Sequence, residues 1–298
     1  MSNIKPFEVI VNSLSGDSYY NNVLLPRIVR RSKDWMKTRN WNKKKACLIL
    51  SYDIDEKADI KELPKLLRLL KKYDIKASFA VIGLLAEKNP EMFQRLLDEG
   101  HELINHTYSH PDSKDFNPDK HFHEISSKER FDEISRCHKT VKRLFDYEMA
   151  GFRVPHFGYQ YTKDIYPILK KLGYKYSSST LAIKTKTAGF PYKEEKSKIW
   201  ELPMICCPVH PYCIFDTSHA FRSRFARHDA KNYVETFKRL LDLGIIDNMF
   251  INLYQDPQDI GKFDYDKMLK MIHDKRKELW ITTYVPLCHH LDKDGGSR

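Results

Sequence analysis

"ACLILSYDID", residues 46–55, decides the fold. An apolar run from Ala46 to Leu50 continues through Ser51 and Tyr52 and closes on two acids, Asp53 and Asp55. A continuous apolar run of this length reads as a strand buried on both faces, the kind that parallel sheets contain. The next periodic segment, "IKELPKLLRLLKKYDI" (60–75), has the 3.6-residue period of an amphipathic helix. Strand followed by helix is the repeating unit of an α/β fold.

The unit recurs along the chain. "KASFAVIG" (76–83) is a strand and "NPEMFQRLLDEG" (89–100) a helix closed by Gly100. "HELINH" (101–106) is the third strand, "SKERFDEISRCHKTVKRLFDY" (127–147) a long helix and "MAGFRVP" (149–155) the fourth strand. "TKDIYPILKKLGY" (162–174) and "KYSSST" (175–180) repeat the pattern. An excursion over residues 181–226 then contains the strand-like "KIWELPMICC" (198–207). The rhythm resumes with the helix "AKNYVETFKRLLDLG", the strand "NMFINLY" (248–254), the helix "YDKMLKMIHDKRK" and a final strand "LWITTYV" (279–285). Crossovers of this kind make a parallel sheet. Seven or eight units predict a closed or nearly closed β/α barrel, with a flat doubly wound sheet as the alternative. The domain reading is a basic N-terminal extension over 1–45, a barrel over 46–290 and a polar tail over 291–298.

Bulk properties set the class. The chain has 298 residues, 41% of them hydrophobic and 12% aromatic, enough for a sizeable core. No apolar run approaches membrane-spanning length. The start, "MSNIKPFEVIVNSLSGDSYY", lacks a basic segment followed by an apolar one, so a cytoplasmic location is the expectation. The six cysteines suggest no disulfide framework and read as reduced thiols. A net charge of +11 invites an anionic partner. Basic residues are dispersed among acids, however, and no nucleic-acid motif is present. Nucleic acid is therefore not the expected partner. The basic stretch "LLPRIVRRSKDWMKTRNWNKKK" (24–45) reads first as a helix packed outside the domain and second as a weak membrane contact.

In a β/α barrel the chemistry sits just past the C-terminal ends of the strands. Asp53 and Asp55 follow the first strand, and His106 and His110 the third. Arg153 and His156 follow the fourth, and Gln255 and Asp256 follow "NMFINLY". A lone histidine pair four apart is usually surface chemistry, and an Asp-x-Asp is often only a helix cap. Their joint arrival at one end of one barrel is the informative feature. If His106 and His110 begin a helical turn, both rings share one face. A carboxylate from the first strand end then completes a two-histidine, one-carboxylate set suited to Zn²⁺, with Fe, Co, Ni or Mn as alternatives. A second carboxylate is free to act as general base.

These residues resemble the polysaccharide deacetylases, also called carbohydrate esterase family four. "SYDID" is similar to that family's first motif, "HTYSH" matches its H-[ST]-x-x-H motif and "RVPHFG" its R-x-P motif, and "WELP" (200–203) is also similar. The resemblance covers roughly residues 46–285. It implies a distorted seven- or eight-stranded β/α barrel that removes acetyl groups from sugars with a divalent metal. It implies Asp53 as general base, Asp55, His106 and His110 as metal ligands, Thr107 as a brace, Arg153 as the partner of Asp53, and the His156 backbone N–H as an oxyanion donor. Tyr108, Pro155, Phe157 and Tyr254, which flank these motifs, are the candidate substrate contacts.

One departure stands out. In "NLYQDPQD" (252–259) Asp256 occupies the place where the family offers a histidine as general acid. A carboxyl kept protonated at Asp256, a substitute histidine (His156 or His210), an ester substrate and a loss of catalysis are the competing explanations. The implied substrate is an acylated sugar or sugar precursor, phosphate-bearing or lipid-linked, on the way to a surface glycan. The rivals are a carbohydrate-binding pseudoenzyme and a hydrolase of a formamide or cyclic amide. "CCPVHPYC" (206–213) raises a second metal set of Cys206, Cys207, His210 and Cys213. Adjacent cysteines on a strand face opposite ways, which counts against all four binding together.

Overall fold

The computed structural model describes residues 40–157, 161–223 and 227–294. The polar tail beyond Asp294 and most of the basic extension, with Trp35 and Met36, lie outside the described residues.

The first strand, β1 (Ala46–Ile54), is buried along its whole length. It pairs in parallel with β8 (Phe250–Gln255) on one edge. On the other edge it pairs with β9 (Leu279–Thr282) near its start and with β2 (Ser78–Val81) near its end. The parallel order continues through β3 (Glu102–Asn105), β4 (Gly151–Phe152), β5 (Tyr176–Ser177) and β7 (Trp200–Glu201). The short β6 (Tyr192–Lys193) adds antiparallel to β7. Past β7 the chain returns toward β8, where the Ile205 N–H donates to the Asn252 carbonyl at 3.0 Å. The path β7-β5-β4-β3-β2-β1-β8 therefore curls into the distorted barrel that the alternation predicts, not a flat sheet.

Helices cover the outside: α1 (Lys57–Lys72), α2 (Gly83–Lys88), α3 (Pro90–Asp98), α4 (Ser127–Phe145), α5 (Ile165–Lys171), α6 (Thr217–Phe221), α7 (Ala230–Ile246), α8 (Tyr265–Asp274) and α9 (Tyr284–Lys293). Their sequence periods bury one face each, as in α1, where Leu63, Leu66, Leu67 and Leu70 point inward. None is long and apolar enough to cross a membrane. The described end of the basic extension carries Trp41. It is 1% exposed, stacks near Phe190 and Phe250, and donates from Nε1 to the Asn248 carbonyl at 2.8 Å.

Two readings of the sequence need correction. The β-branched "LWITTYV" does not run as strand to Val285; it turns into α9 at Tyr284. The Tyr284 N–H is satisfied by the buried Glu102 carboxylate at 2.7 Å, which supplies a free helix-end donor with an acceptor. Pro286, in the first turn, is the local signal that marks a helix start. The strand-like "KIWELPMICC" forms only the two-residue β7 plus isolated bridges, because Pro203 and the buried hydrogen bonds around it interrupt the ladder.

Gly151 has no room for a side chain. A Cβ there would lie 1.9 Å from Cζ of Tyr176, whose hydroxyl donates to Glu102 Oε1 at 2.6 Å. Gly151→Ala is expected to destabilise the barrel by about 1–3 kcal/mol, read as a lower urea midpoint.

Candidate active site

β1 and β3 run parallel on either side of β2, so their polar C-terminal ends reach the same rim. Asp53 is the last but one residue of β1 and is 2% exposed; Asp55 follows the strand. His106 continues the ladder from β3, its N–H donating to the Val81 carbonyl at 3.0 Å. His110 Nε2 lies 3.1 Å from Asp55 Oδ2. His106 Nε2 lies 3.9 Å from the same oxygen and 3.6 Å from Asp53 Oδ2.

The two imidazoles do not converge through a helical turn, as their spacing suggests. Thr107 and His110 both adopt left-handed backbone, φ 72° and 52°. Non-glycine residues hold such angles only where their surroundings fix them. Here the Asn105 side chain accepts from the Thr107 N–H at 2.8 Å, and Thr107 Oγ1 accepts from the His110 N–H at 3.0 Å. From α4, the Glu133 carboxylate accepts the N–H groups of Tyr108 and Ser109 at 3.0 and 2.8 Å. Glu133 has no signal in the sequence beyond its place on a helix.

The donor set fits a divalent cation. Asp55, His106 and His110 each offer an atom within 4.8 Å of the others. His106 Nδ1 meets the Arg153 carbonyl at 2.8 Å. That contact fixes the proton on Nδ1 and leaves Nε2 as a lone-pair donor. His106 Nε2 and both His110 nitrogens are buried and lack a hydrogen-bond partner. Buried polar atoms are otherwise costly to leave unpaired.

Beside this set, Arg153 reaches into the barrel from the end of β4. Its Nη1 pairs with Asp53 Oδ1, and its Nη2 donates to Ser51 Oγ at 2.8 Å and to the Tyr284 hydroxyl at 2.7 Å. Tyr284 passes the chain on, donating to Asn252 Oδ1 at 2.7 Å. Burial raises the Asp53 carboxyl, Arg153 opposes it, Asp55 adds to it, and the result stands at about 6. Asp55 is buried too, but the charge of His110, paired with it, holds it well below the usual carboxylate range. One carboxylate is thus tuned near neutrality and its neighbour is kept ionised. Enzyme sites that divide acid–base work between two carboxylates show this separation. The β1–α1 loop is itself pinned by Asp59, whose Oδ2 accepts from the Glu56 N–H at 2.9 Å and whose Oδ1 accepts from the Gln258 N–H at 3.1 Å.

Residues 41–177 match the family model described as polysaccharide deacetylase. Over this stretch, just under half of its length, the chain is similar to the polysaccharide deacetylase family. A Bacillus cereus relative named peptidoglycan-N-acetylglucosamine deacetylase is 37% identical over 102 residues, which span 34% of this chain and 34% of the relative. The match thus covers about a third of that relative's length. A solved allantoinase superposes with a TM-score of 0.70 at 12% identity, over 86% of this chain and 93% of its own. A Bacillus anthracis protein described as a CE4-family pseudoenzyme superposes with a TM-score of 0.53 at 15% identity, over 82% of this chain and 66% of that one. At these identities the two structures establish the fold.

At this rim, three sequence readings change. Asp256 does sit at the end of β8, 1% exposed, but it is ion-paired with Arg222 Nη2. The same guanidinium lies 3.1 Å from Asp259 and 3.6 Å from Glu56. A contacting guanidinium stabilises the carboxylate form, so Asp256 is poorly placed to hold a proton for a leaving group. Arg222 comes from the excursion, where no motif announces it. His210 is not at this site; it faces Cys207, His219 and His228. His156 is nearby, its ring 5.1 Å from His110 and its Nε2 3.5 Å from Asp112. Its side chain is 43% exposed, yet desolvation against the rim, and next the charge of His110, lower His156 from its ordinary value to about 4.

Of the four expected substrate contacts, Tyr108 is misplaced. Its hydroxyl donates to Glu87 at 2.8 Å and the Arg136 guanidinium covers its ring at 3.6 Å. It packs between α2 and α4 because the Glu133 clamp turns the loop that way. Phe157 and Tyr254 lie together, with centroids 4.7 Å apart, and Arg153 sits 5.2 and 5.7 Å from the two rings. They form a buried aromatic wall beside the Asp53–Arg153 pair. Pro155 is buried in the turn between Arg153 and His156.

Proposed function

We propose that the chain is a hydrolase of an acyl amide on a sugar, an N-acetyl group first, with Asp55, His106 and His110 holding a divalent metal. The observation that carries this reading is the Asp53–Arg153 pair set beside three convergent, buried ligand groups at the open end of the barrel. When bound there, zinc or a similar ion supplies Lewis-acid polarisation of the acyl carbonyl and makes water more acidic. Asp53 takes the proton of the attacking water. The His156 backbone N–H, beside His110, is the proposed donor to the developing oxyanion. Phe157 and Tyr254 exclude water from the reacting carbonyl.

The proton for the leaving nitrogen comes from Asp53 as well. With Asp256 paired to Arg222 and His156 held down to about 4, Asp53 at about 6 is the carboxyl near this set that both accepts and returns a proton close to neutral pH. The name of the Bacillus cereus relative supports an N-acetylglucosamine unit, and the charge of +11 favours a substrate bearing phosphate. A cytoplasmic glycan precursor, lipid-linked or nucleotide-linked, meets both conditions. The second reading, a carbohydrate-binding pseudoenzyme, draws on the Asp256–Arg222 pair, since it removes the expected acid.

Acetate release from N-acetylglucosamine oligomers tests the choice. Asp256→Asn and His156→Ala are each expected to cost less than about tenfold, whereas loss of a true general acid costs about 10²–10⁴-fold. Asp53→Asn is expected to abolish amide and generic acetyl-ester turnover alike. In the metal-loaded wild-type protein kcat/KM falls on an acid limb where Asp53 gains its proton, below the value of about 6 that Asp53 has without the cation, and shows no basic limb from a second acid. A bound cation shifts that limb lower, since added positive charge favours the carboxylate. No release from either substrate class by the metal-loaded protein would favour the pseudoenzyme.

A further inference from the structure

The excursion between β5 and α7 is nearly devoid of regular structure, yet it is folded tightly against the barrel. Its centre is a cluster that the active site does not use. Cys207 Sγ lies 3.6 Å from His210 Nδ1 and 3.3 Å from His228 Nε2. His210 Nδ1 lies 3.1 Å from His219 Nε2. One donor atom from each of the four residues lies within 4.8 Å of all the others. Cys207 is fully buried, and His219 and His228 are each 7% exposed. The three ring centroids are 5.0, 5.0 and 5.7 Å apart and the rings meet edge to face.

We propose that Cys207, His210, His219 and His228 form a second, structural metal site, selective for Zn²⁺. A thiolate and three imidazoles are a borderline-soft donor set, and four protein ligands close a tetrahedron with no position left for substrate. Zinc bonds of about 2.0–2.1 Å to nitrogen and 2.3 Å to sulfur give tetrahedral edges of roughly 3.3–3.6 Å. The donor separations of 3.1, 3.3 and 3.6 Å fall at or near that range. Each ligand also has a fixed backbone. The Cys207 N–H donates to the Cys213 carbonyl at 2.8 Å and the Cys213 N–H to the His210 carbonyl at 2.9 Å, closing the loop that carries the first two ligands. Asp216 caps α6, its Oδ1 accepting from the His219 N–H at 2.6 Å. The His228 N–H donates to the Ala220 carbonyl at 3.0 Å. The set differs from the sequence reading of "CCPVHPYC": Cys206 faces the opposite way, into the cluster with Phe157 and Tyr254.

The site has a mechanical consequence. α6 carries His219 toward the cluster, while Thr217 Oγ1 accepts the Asp256 N–H at 2.9 Å and Arg222, just past the helix, pairs with Asp256. Zinc would therefore clamp the segment that closes one side of the catalytic cleft.

Cobalt loading of the full-length protein separates the two sites, since only the second contains a thiolate. In a His106→Ala/His110→Ala background, one Co²⁺ per chain is expected, with tetrahedral visible bands and a thiolate-to-cobalt charge-transfer band in the near ultraviolet. Cys207→Ser and His219→Ala, added singly, are each expected to abolish the charge-transfer band or the bound ion. The measurement in the double-histidine background does not depend on how those further variants fold. Absence of a charge-transfer band there, or its persistence in a folded Cys207→Ser protein, would overturn the proposal.

Discussion

The His106→Ala/His110→Ala protein is expected to lose one bound divalent cation per chain and at least about a thousandfold in acetate release, because Lewis-acid and oxyanion stabilisation go together with the ion. The fold should survive. Both rings lie at the open end of the barrel, and their nitrogens, apart from the His106 Nδ1 contact to Arg153, support little of the surrounding structure. Removing one histidine should weaken metal binding, with part of the activity restored by excess zinc; removing both should not be rescued. Metal content by elemental analysis and acetate release on the same samples check the prediction. A double variant that keeps its turnover would place the chemistry elsewhere on the chain.

Arg153→Ala is the second large effect, and it has two components. Arg153 is fully buried, and its removal leaves Asp53 without its counter-charge inside the barrel. Breaking a buried pair in this way costs about 3–5 kcal/mol of stability. The chemical component has a definite sign. Arg153 lowers the Asp53 carboxyl, so its loss moves that carboxyl above about 6 and the base becomes protonated at neutral pH. The acid limb of kcat/KM should therefore shift to higher pH, an effect that destabilisation alone would not produce. Arg153→Lys should restore charge but not activity, since one ammonium cannot reproduce a planar fork that meets Asp53, Ser51 and Tyr284 together. Equilibrium unfolding and a pH–rate profile read the two components separately.

The parts of the site legible in the sequence share one physical property. Asp53, Asp55, His106 and Arg153 each lie within a residue or two of a strand's C-terminal end, and parallel strands in a barrel deliver all such ends to one rim. Apolar runs marked the strands, so the rim could be read directly. Groups that come from helices or from irregular chain carry no such address. Glu133 clamps the histidine loop from the middle of α4, and Tyr284 reaches Arg153 from a segment whose β-branched composition reads as strand. Arg222, which neutralises Asp256, lies in the excursion. His219 and His228 lie beyond the end of "CCPVHPYC", on α6 and just before α7, so the cluster they complete depends on how that segment folds back. The left-handed turn at Thr107 is also a product of its surroundings, because a threonine shows no preference for that conformation on its own.

The fold of the barrel and the identity of its rim residues thus follow from short-range pattern, whereas the tuning of those residues follows from long-range contacts. That division explains why Asp53 was recognisable as a carboxylate at the right place, but its elevation to about 6 was not. It also explains the fate of Asp256. Its position after β8 matched the expected acid, and only the folded excursion brings Arg222 against it.

Acetate release from N-acetylglucosamine oligomers, compared between metal-stripped protein and the same protein reloaded with zinc, tests the central claim most directly. The account predicts that release is lost on stripping and returns on reloading in the wild-type chain, and that reloading fails to restore it in Asp53→Asn. Equal release before and after stripping, or full restoration in Asp53→Asn, would contradict it.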